Sequence, residues 1–179
     1  RLLSIPGGSL RMKTFAQERG EVLSDAQFAQ LRVSKQRHYL DAVRAGAVSL
    51  RPGVARLLRE LQARAIAQWI VTSSGGPSVS ALLDNLFPGG DHPFAGVISA
   101  DDVSRHKPSP DPFLKALKCS NTNPDAALVF EDSTPGLLSA RTAGLRCLLM
   151  PSPWDQELHR YQDQAVAVLD HLGSAQIPC

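Results

Sequence analysis

From residue 51 onward the sequence alternates helix-like and strand-like segments at short spacing, a pattern that builds βαβ units into a parallel sheet. Val54, Leu57, Leu58 and Leu61 repeat on one helical face behind Pro52-Gly53, and the apolar run 67–71 then reads as a buried strand. A second helix is expected from Pro77, a residue suited to the first helical position. It carries Val79, Leu82, Leu83 and Leu86 on one face and closes at Pro88-Gly89-Gly90. The unit then recurs, with strand 96–99 leading to a helix marked by Phe113, Leu114 and Leu117. Strand 126–130 leads to a helix that stops at Gly144, with Thr134 expected as its N-cap and Pro135 in its first helical position. Strand 146–150 and a weaker strand 166–169 complete the series. The expected class is α/β with a parallel sheet.

Residues 1–50 break this pattern. Ser24 is placed to cap a long polar helix through Phe28, Leu31, Leu40 and Val43, and no strand-like run precedes Trp69, so a separate helical lobe is expected. The 179 residues suffice for one solid core and a smaller appended element. A net charge of +2, spread without a basic run, gives no reason to expect a nucleic-acid partner. No apolar stretch approaches the roughly 20 residues a bilayer span requires, and the first residues lack the order of a signal peptide. The expectation is a soluble, cytoplasmic monomer without membrane contact, with a plastid location left open. Cys119, Cys147 and Cys179 have neither metal-site spacing nor an even count, so they are expected as buried or incidental thiols.

In an open parallel sheet, ligands gather beyond the carboxyl ends of the strands. Three of the expected ends carry polar groups. Thr72, Ser73 and Ser74 precede Gly75-Gly76 and a helix start, where hydroxyls and backbone N–H groups can hold a phosphate. The same residues also suit an ordinary strand-to-helix turn. Lys107 is followed by a proline, which favours an extended path, though a lysine needs no reason beyond solvation. Glu131 and Asp132 offer hard oxygen ligands on successive residues. That suits Mg²⁺, which keeps several waters and takes few protein carboxylates; acids are equally at home beside the dipole of a helix start. In a doubly wound sheet all three ends share one edge. Hydroxyl, ammonium and acids would there form a phosphate and metal site, the hydroxyl and lysine holding phosphoryl oxygens and the metal neutralising developing charge.

The ordered set Val71-Thr72-Ser73-Ser74, Lys107-Pro108-Ser109-Pro110-Asp111 and Phe130-Glu131-Asp132-Ser133, with Gly136 and Ala140, resembles motifs two, three and four of the haloacid dehalogenase superfamily. The resemblance spans residues 51–150. It implies a Rossmann-like three-layer α/β/α core over 50–179 that lacks its first strand, plus a partial helical cap over 1–49. It further implies that Thr72 hydrogen-bonds the transferring phosphoryl group, with Ser73 and Ser74 beside it. Lys107 would balance charge between nucleophile and phosphate, and Asp132, helped by Glu131, would bind Mg²⁺. The Glu-Asp-Ser and Lys-Pro-Ser-Pro-Asp forms are similar to the branch that holds β-phosphoglucomutase, phosphoglycolate phosphatase and the CbbY-like sugar phosphatases. In the CbbY-like group a Gly-Gly-Lys turn of the cap contacts substrate, and Gly7-Gly8-Ser9 falls at that place. Ser9 departs from the lysine, so Arg11 or Lys13 is the candidate for a second-phosphate contact. Lys35 and Tyr39 fit a cap helix, where packing explains them equally well.

The superfamily's first motif, a strand ending in Asp-x-Asp-Gly, carries the covalent nucleophile and the general acid/base. The sequence contains no such tetrapeptide. Asp101-Asp102 and Asp155 are rejected as substitutes, since none follows a first core strand or precedes glycine. The motif is expected upstream of Arg1, and these 179 residues alone are expected to be inactive. The implied function is a Mg²⁺-dependent phosphatase acting through an aspartyl-phosphate on a small phosphorylated metabolite, a sugar phosphate. Two alternatives share the motifs: a phosphomutase of the β-phosphoglucomutase type, and a non-catalytic phosphate-binding module. A phosphate-signalling receiver domain would place its acids first and its lysine last. A nucleotide kinase would need Gly-x-x-x-x-Gly-Lys-Ser/Thr, which is absent.

Overall fold

Every strand pairing in the computed structural model, which describes residues 8–153, 155 and 157–173, is parallel. Strand β1 (Gln68–Val71) pairs with β2 (Phe94–Ile98), while β3 (Leu128–Glu131), β4 (Arg146–Leu149) and β5 (Ala167–Val168) form a second ladder in that order. Helices α3 (Val54–Ala63), α4 (Gly76–Leu86), α5 (Asp111–Ser120) and α6 (Thr134–Thr142) alternate with the strands up to β4. This is the α/β class with parallel strands that the alternation demands, and it agrees with the Rossmann-like core that the resemblance implies. Val71 lies opposite Ile98 and Glu131 opposite Leu149, so each ladder brings its carboxyl ends level.

The core forms where α6 covers the second ladder and meets α5, which packs on the first. Phe113, Leu137, Ala140, Ala143, Leu145, Cys147, Leu149 and Leu158 make one buried cluster. The i, i+3 step from Leu137 to Ala140 and the i, i+2 step from Cys147 to Leu149 are the helix and strand periods meeting on one face. Ser139 is fully buried and satisfied, its hydroxyl donating to the Ser109 carbonyl at 2.6 Å. That bond fixes α6 against the turn that leads from Lys107 into α5. The start of α3 is held by the chain beyond β5: Gly53 has φ +85°, and a Cβ there would lie 2.2 Å from the Leu172 carbonyl carbon. Only glycine permits that approach.

Helices α1 (Gly8–Glu18) and α2 (Asp25–Arg44) precede this core, and α2 packs along α4. Ser24 caps α2 as expected, within a full capping box: the Gln27 amide donates to its hydroxyl and the Ser24 amide donates to Gln27 Oε1 at 2.8 Å. Phe15, Leu31, Val33 and Tyr39 remain exposed on these two helices. No helix among the described residues is long and apolar enough to cross a membrane.

Several boundaries differ from the sequence reading. Ser133, not Thr134, caps α6; it has extended backbone and its hydroxyl accepts the Gly136 amide at 3.2 Å. Gly76 opens α4 and puts Pro77 in the second position. Residues Pro124–Ala126 form a 3-10 turn, so β3 starts two residues later than the apolar run suggests. Gly8 and Ser9 belong to the first turn of α1 and not to a loop, while Gly7 and Cys179 lie outside the described residues.

Candidate active site

The loop after β1 begins with Thr72, whose amide continues the ladder by donating to the Ile98 carbonyl at 2.9 Å. The Thr72 hydroxyl accepts the Ser74 amide at 3.1 Å. A hydroxyl has one proton and two lone pairs, so the proton is left to donate to an oxyanion. Ser73 and Ser74 are exposed beside it, ahead of the α4 N-terminus at Gly76.

Lys107 comes from the loop between β2 and α5, and its peptide bond to Pro108 is cis. Its ammonium turns inward. It donates to the Val71 carbonyl at 2.9 Å, contacts Glu131 Oε1 and lies 4.8 Å from the centre of the Phe113 ring. Both members of this ion pair are buried, with side-chain exposures of 8% and 9%. The turn that presents the lysine is braced by Arg105, which grips Asp111 through two bonds of 2.8 Å, and by the Ser109 hydroxyl on the same carboxylate at 3.0 Å. The Arg105 guanidinium holds the Asp111 carboxyl below the usual carboxylate range.

The loop after β3 carries the paired acids. Glu131 Oε2 accepts the Ser133 hydroxyl at 3.3 Å, and a Cβ on Gly136 would lie 1.9 Å from that same oxygen. Glycine at the start of α6 therefore makes the cradle that lets Glu131 fold under the helix. Burial pushes the Glu131 carboxyl above its ordinary range, opposed by the Lys107 ammonium and reinforced by the neighbouring Asp132 charge. The same burial, with Glu131 nearby, pushes the Cys147 thiol to about 12. Asp132 is exposed, and its carbonyl accepts the Ser152 amide at 3.0 Å.

The fold thus links the end of β1 and the end of β3, which lie in separate ladders, through a single ammonium that touches Val71, the residue before Thr72, and Glu131, the residue before Asp132. Gly8, Ser9 and half-buried Arg11 start α1 in the helical segment. Asp155, rejected from the sequence as a substitute nucleophile, has a bracing role that the sequence did not suggest. Its carboxylate accepts the Thr134 amide at 2.6 Å and hydroxyl at 3.1 Å, across 21 residues. No local signal in Pro-Ser-Pro-Trp-Asp announces that role.

Among the described residues no cluster of three or more His, Cys, Asp or Glu side chains could hold a metal ion. The donors present are two: Asp132, open to solvent, and Glu131, whose charge Lys107 shares. A hard cation that retains most of its water fits such a sparse carboxylate set; one needing a closed protein cage does not.

The fold and this arrangement of loops define a class. A family profile described as haloacid dehalogenase-like hydrolase matches residues 11–150, and the chain belongs to that family, as an enzyme of the phosphatase class. Its relatives place it in the sugar-phosphatase branch. The chain is 39% identical to the protein CbbY of Rhodobacter capsulatus over 155 residues, which is 86% of this chain and 68% of that one. It is 31% identical to the plasmid-borne CbbY of Cupriavidus necator, over 99% of this chain and 72% of the relative. The crystal structure of CbbY from Rhodobacter sphaeroides in complex with xylulose-(1,5)bisphosphate superposes with a TM-score of 0.86 at 29% identity, over 97% of this chain and 76% of that one. The chain spans about two thirds to three quarters of the length of these relatives.

Proposed function

We propose that this chain supplies the phosphate-holding and Mg²⁺-binding part of a phosphatase acting on a small phosphorylated metabolite, a sugar phosphate, through an aspartyl-phosphate. The observation that carries the reading is the Lys107 ammonium, buried and bonded at once to the Val71 carbonyl and to Glu131. It fixes a positive charge at the strand ends that lead into Thr72 and Asp132, where an oxyanion held by the one and a cation held by the other would both be close.

In this reading Thr72 donates its hydroxyl proton to a phosphoryl oxygen, with Ser73 and Ser74 adding donors at the rim. Lys107 screens the phosphoryl group and Glu131 holds that lysine in place. Asp132 and Glu131 would hold Mg²⁺, which when bound supplies charge neutralisation at the phosphoryl oxygens. Residues 1–49 act as part of a cap over the core of residues 50–179, and Gly7, Gly8, Ser9 and Arg11 reach the far end of the substrate. The bisphosphate bound by the Rhodobacter sphaeroides relative supports a sugar phosphate as the substrate class. Because no Asp-x-Asp-Gly occurs in these residues, the nucleophile and general acid/base belong to a segment outside them.

The test is calorimetric titration of this chain with inorganic phosphate in the presence of Mg²⁺. Thr72→Val is expected to weaken phosphate binding about tenfold, the worth of one hydrogen bond to a charged group. An unchanged affinity overturns the assignment. Aryl-phosphate hydrolysis by these 179 residues is expected to be absent; turnover at about 1 s⁻¹ or faster would put a nucleophile among them.

A further inference from the structure

Asp101, Asp102 and Asp155 lie at the rim of the site without a part in the chemistry above. Asp102 is engaged locally, accepting the Ser99 amide at 2.8 Å and hydroxyl at 2.7 Å within its own turn. The other two reach across to different loops, and they do so in the same way. After β2, the Ala100 amide donates to the Ser74 carbonyl at 2.9 Å and the Asp101 carboxylate accepts the Gly76 amide at 2.7 Å. After β4, the Ser152 amide donates to the Asp132 carbonyl at 3.0 Å and the Asp155 carboxylate accepts the Thr134 amide at 2.6 Å. In both cases the neighbouring strand's loop gives an amide to one loop carbonyl and a carboxylate to the amide two residues further on. That amide is the first residue of the following helix, α4 in one case and α6 in the other.

The gripped loops are those that carry Thr72 and Glu131/Asp132. We propose that Asp101 and Asp155 are positioning residues, the first aiming the Thr72 hydroxyl at a phosphoryl oxyanion and the second aiming the Asp132 carboxylate at a divalent cation. This inference rests on the phosphate and metal reading of the site. Gly75 precedes α4 and has no side chain to cap it, so the exposed amide at Gly76 takes its partner from outside the helix. A Cβ on Gly76 would lie 3.2 Å from Asp101 Oδ2, and its absence lets the carboxylate sit close. In α6 the Ser133 hydroxyl is occupied by the Gly136 amide, which leaves the Thr134 amide to Asp155. Asp155 Oδ1 also takes the Thr134 hydroxyl and the Glu157 amide at 3.2 Å, so the carboxylate is fully engaged in holding the two segments together. Each acid also puts negative charge at a helix start, which closes both N-termini to an anionic substrate and leaves it to Thr72 and Lys107.

The test uses the 179-residue chain with Asp101→Ala, Asp101→Asn, Asp155→Ala and Asp155→Asn. Inorganic phosphate affinity is read by calorimetry, Mn²⁺ affinity by electron paramagnetic resonance, and amide hydrogen exchange by NMR. D101A is expected to weaken phosphate binding about fivefold, the worth of one helix cap, and to leave Mn²⁺ affinity unchanged. D155A is expected to do the reverse. The asparagine variants keep one acceptor oxygen and should fall between alanine and wild type. Exchange is expected to quicken in residues 72–76 alone for the Asp101 variants and in residues 132–136 alone for the Asp155 variants. Equal loss of both ligands in either variant, or a loosened loop whose own ligand binds as before, would overturn the proposal. Failure of the unsubstituted chain to bind either ligand would count against the phosphatase reading; exchange that stays unchanged in the gripped loop would count against the grips themselves.

Discussion

Lys107 holds more of the site in place than any other single side chain, because one ammonium joins the ends of β1 and β3. A buried ion pair that loses one member leaves the other charged and unsolvated. Lys107→Met is expected to cost about 3–5 kcal/mol of stability, and the double variant K107M/E131Q should be less destabilised than K107M alone. Denaturant unfolding of the two single variants and the double one checks this, and additive losses would show that the pair is uncoupled. The sequence named both residues as candidates, on a motif for one and adjacent acids for the other. It could not say that a lysine 24 residues before Glu131 would turn inward. An exposed lysine and a buried one have the same neighbours along the chain.

Elements were easier to read than their ends. The helical periods at Val54, Val79 and Phe113 and the strand run at Val129 all lie in elements of the expected kind. Boundaries moved where a side chain found a distant partner: the Thr134 amide and hydroxyl both go to Asp155, and the cap of α6 is Ser133, whose hydroxyl takes the Gly136 amide. Helix α5 offers a test of such end contacts. The Arg105 guanidinium beside Asp111 holds that carboxyl below its ordinary value, so the interaction stabilises the fold above the unfolded-state value and is lost as pH falls through the folded one. Thermal midpoints of wild type and Asp111→Asn are therefore expected to differ most near neutral pH. The gap should close on acidification below the ordinary carboxylate value of about 4. A gap that stays constant down to pH 2 would show that Asp111 acts through something other than its charge.

At the scale of the molecule, burial is uneven. Leu137, Cys147 and Leu149 are fully buried in α6 and β4, whereas α2 buries Val43 and leaves Leu31, Val33 and Tyr39 exposed. Amide exchange is expected to be slowest in β4 and α6 and fastest in α1 and α2, since protection follows buried apolar contact. Equal protection along the chain would contradict that picture. The amino-acid order alone determined the α/β class, the parallel sense of the strands and the sequence of hydroxyl, lysine and acid loops, because periodicity and turn residues act over a few neighbours; that the strands form two ladders it did not show. Only the tertiary structure decided which groups meet. The bonds from Lys107 to Val71, from Asp101 to Gly76 and from Asp155 to Thr134 span 36, 25 and 21 residues. Contacts of that reach exist once strands have been laid side by side, and no local pattern encodes them.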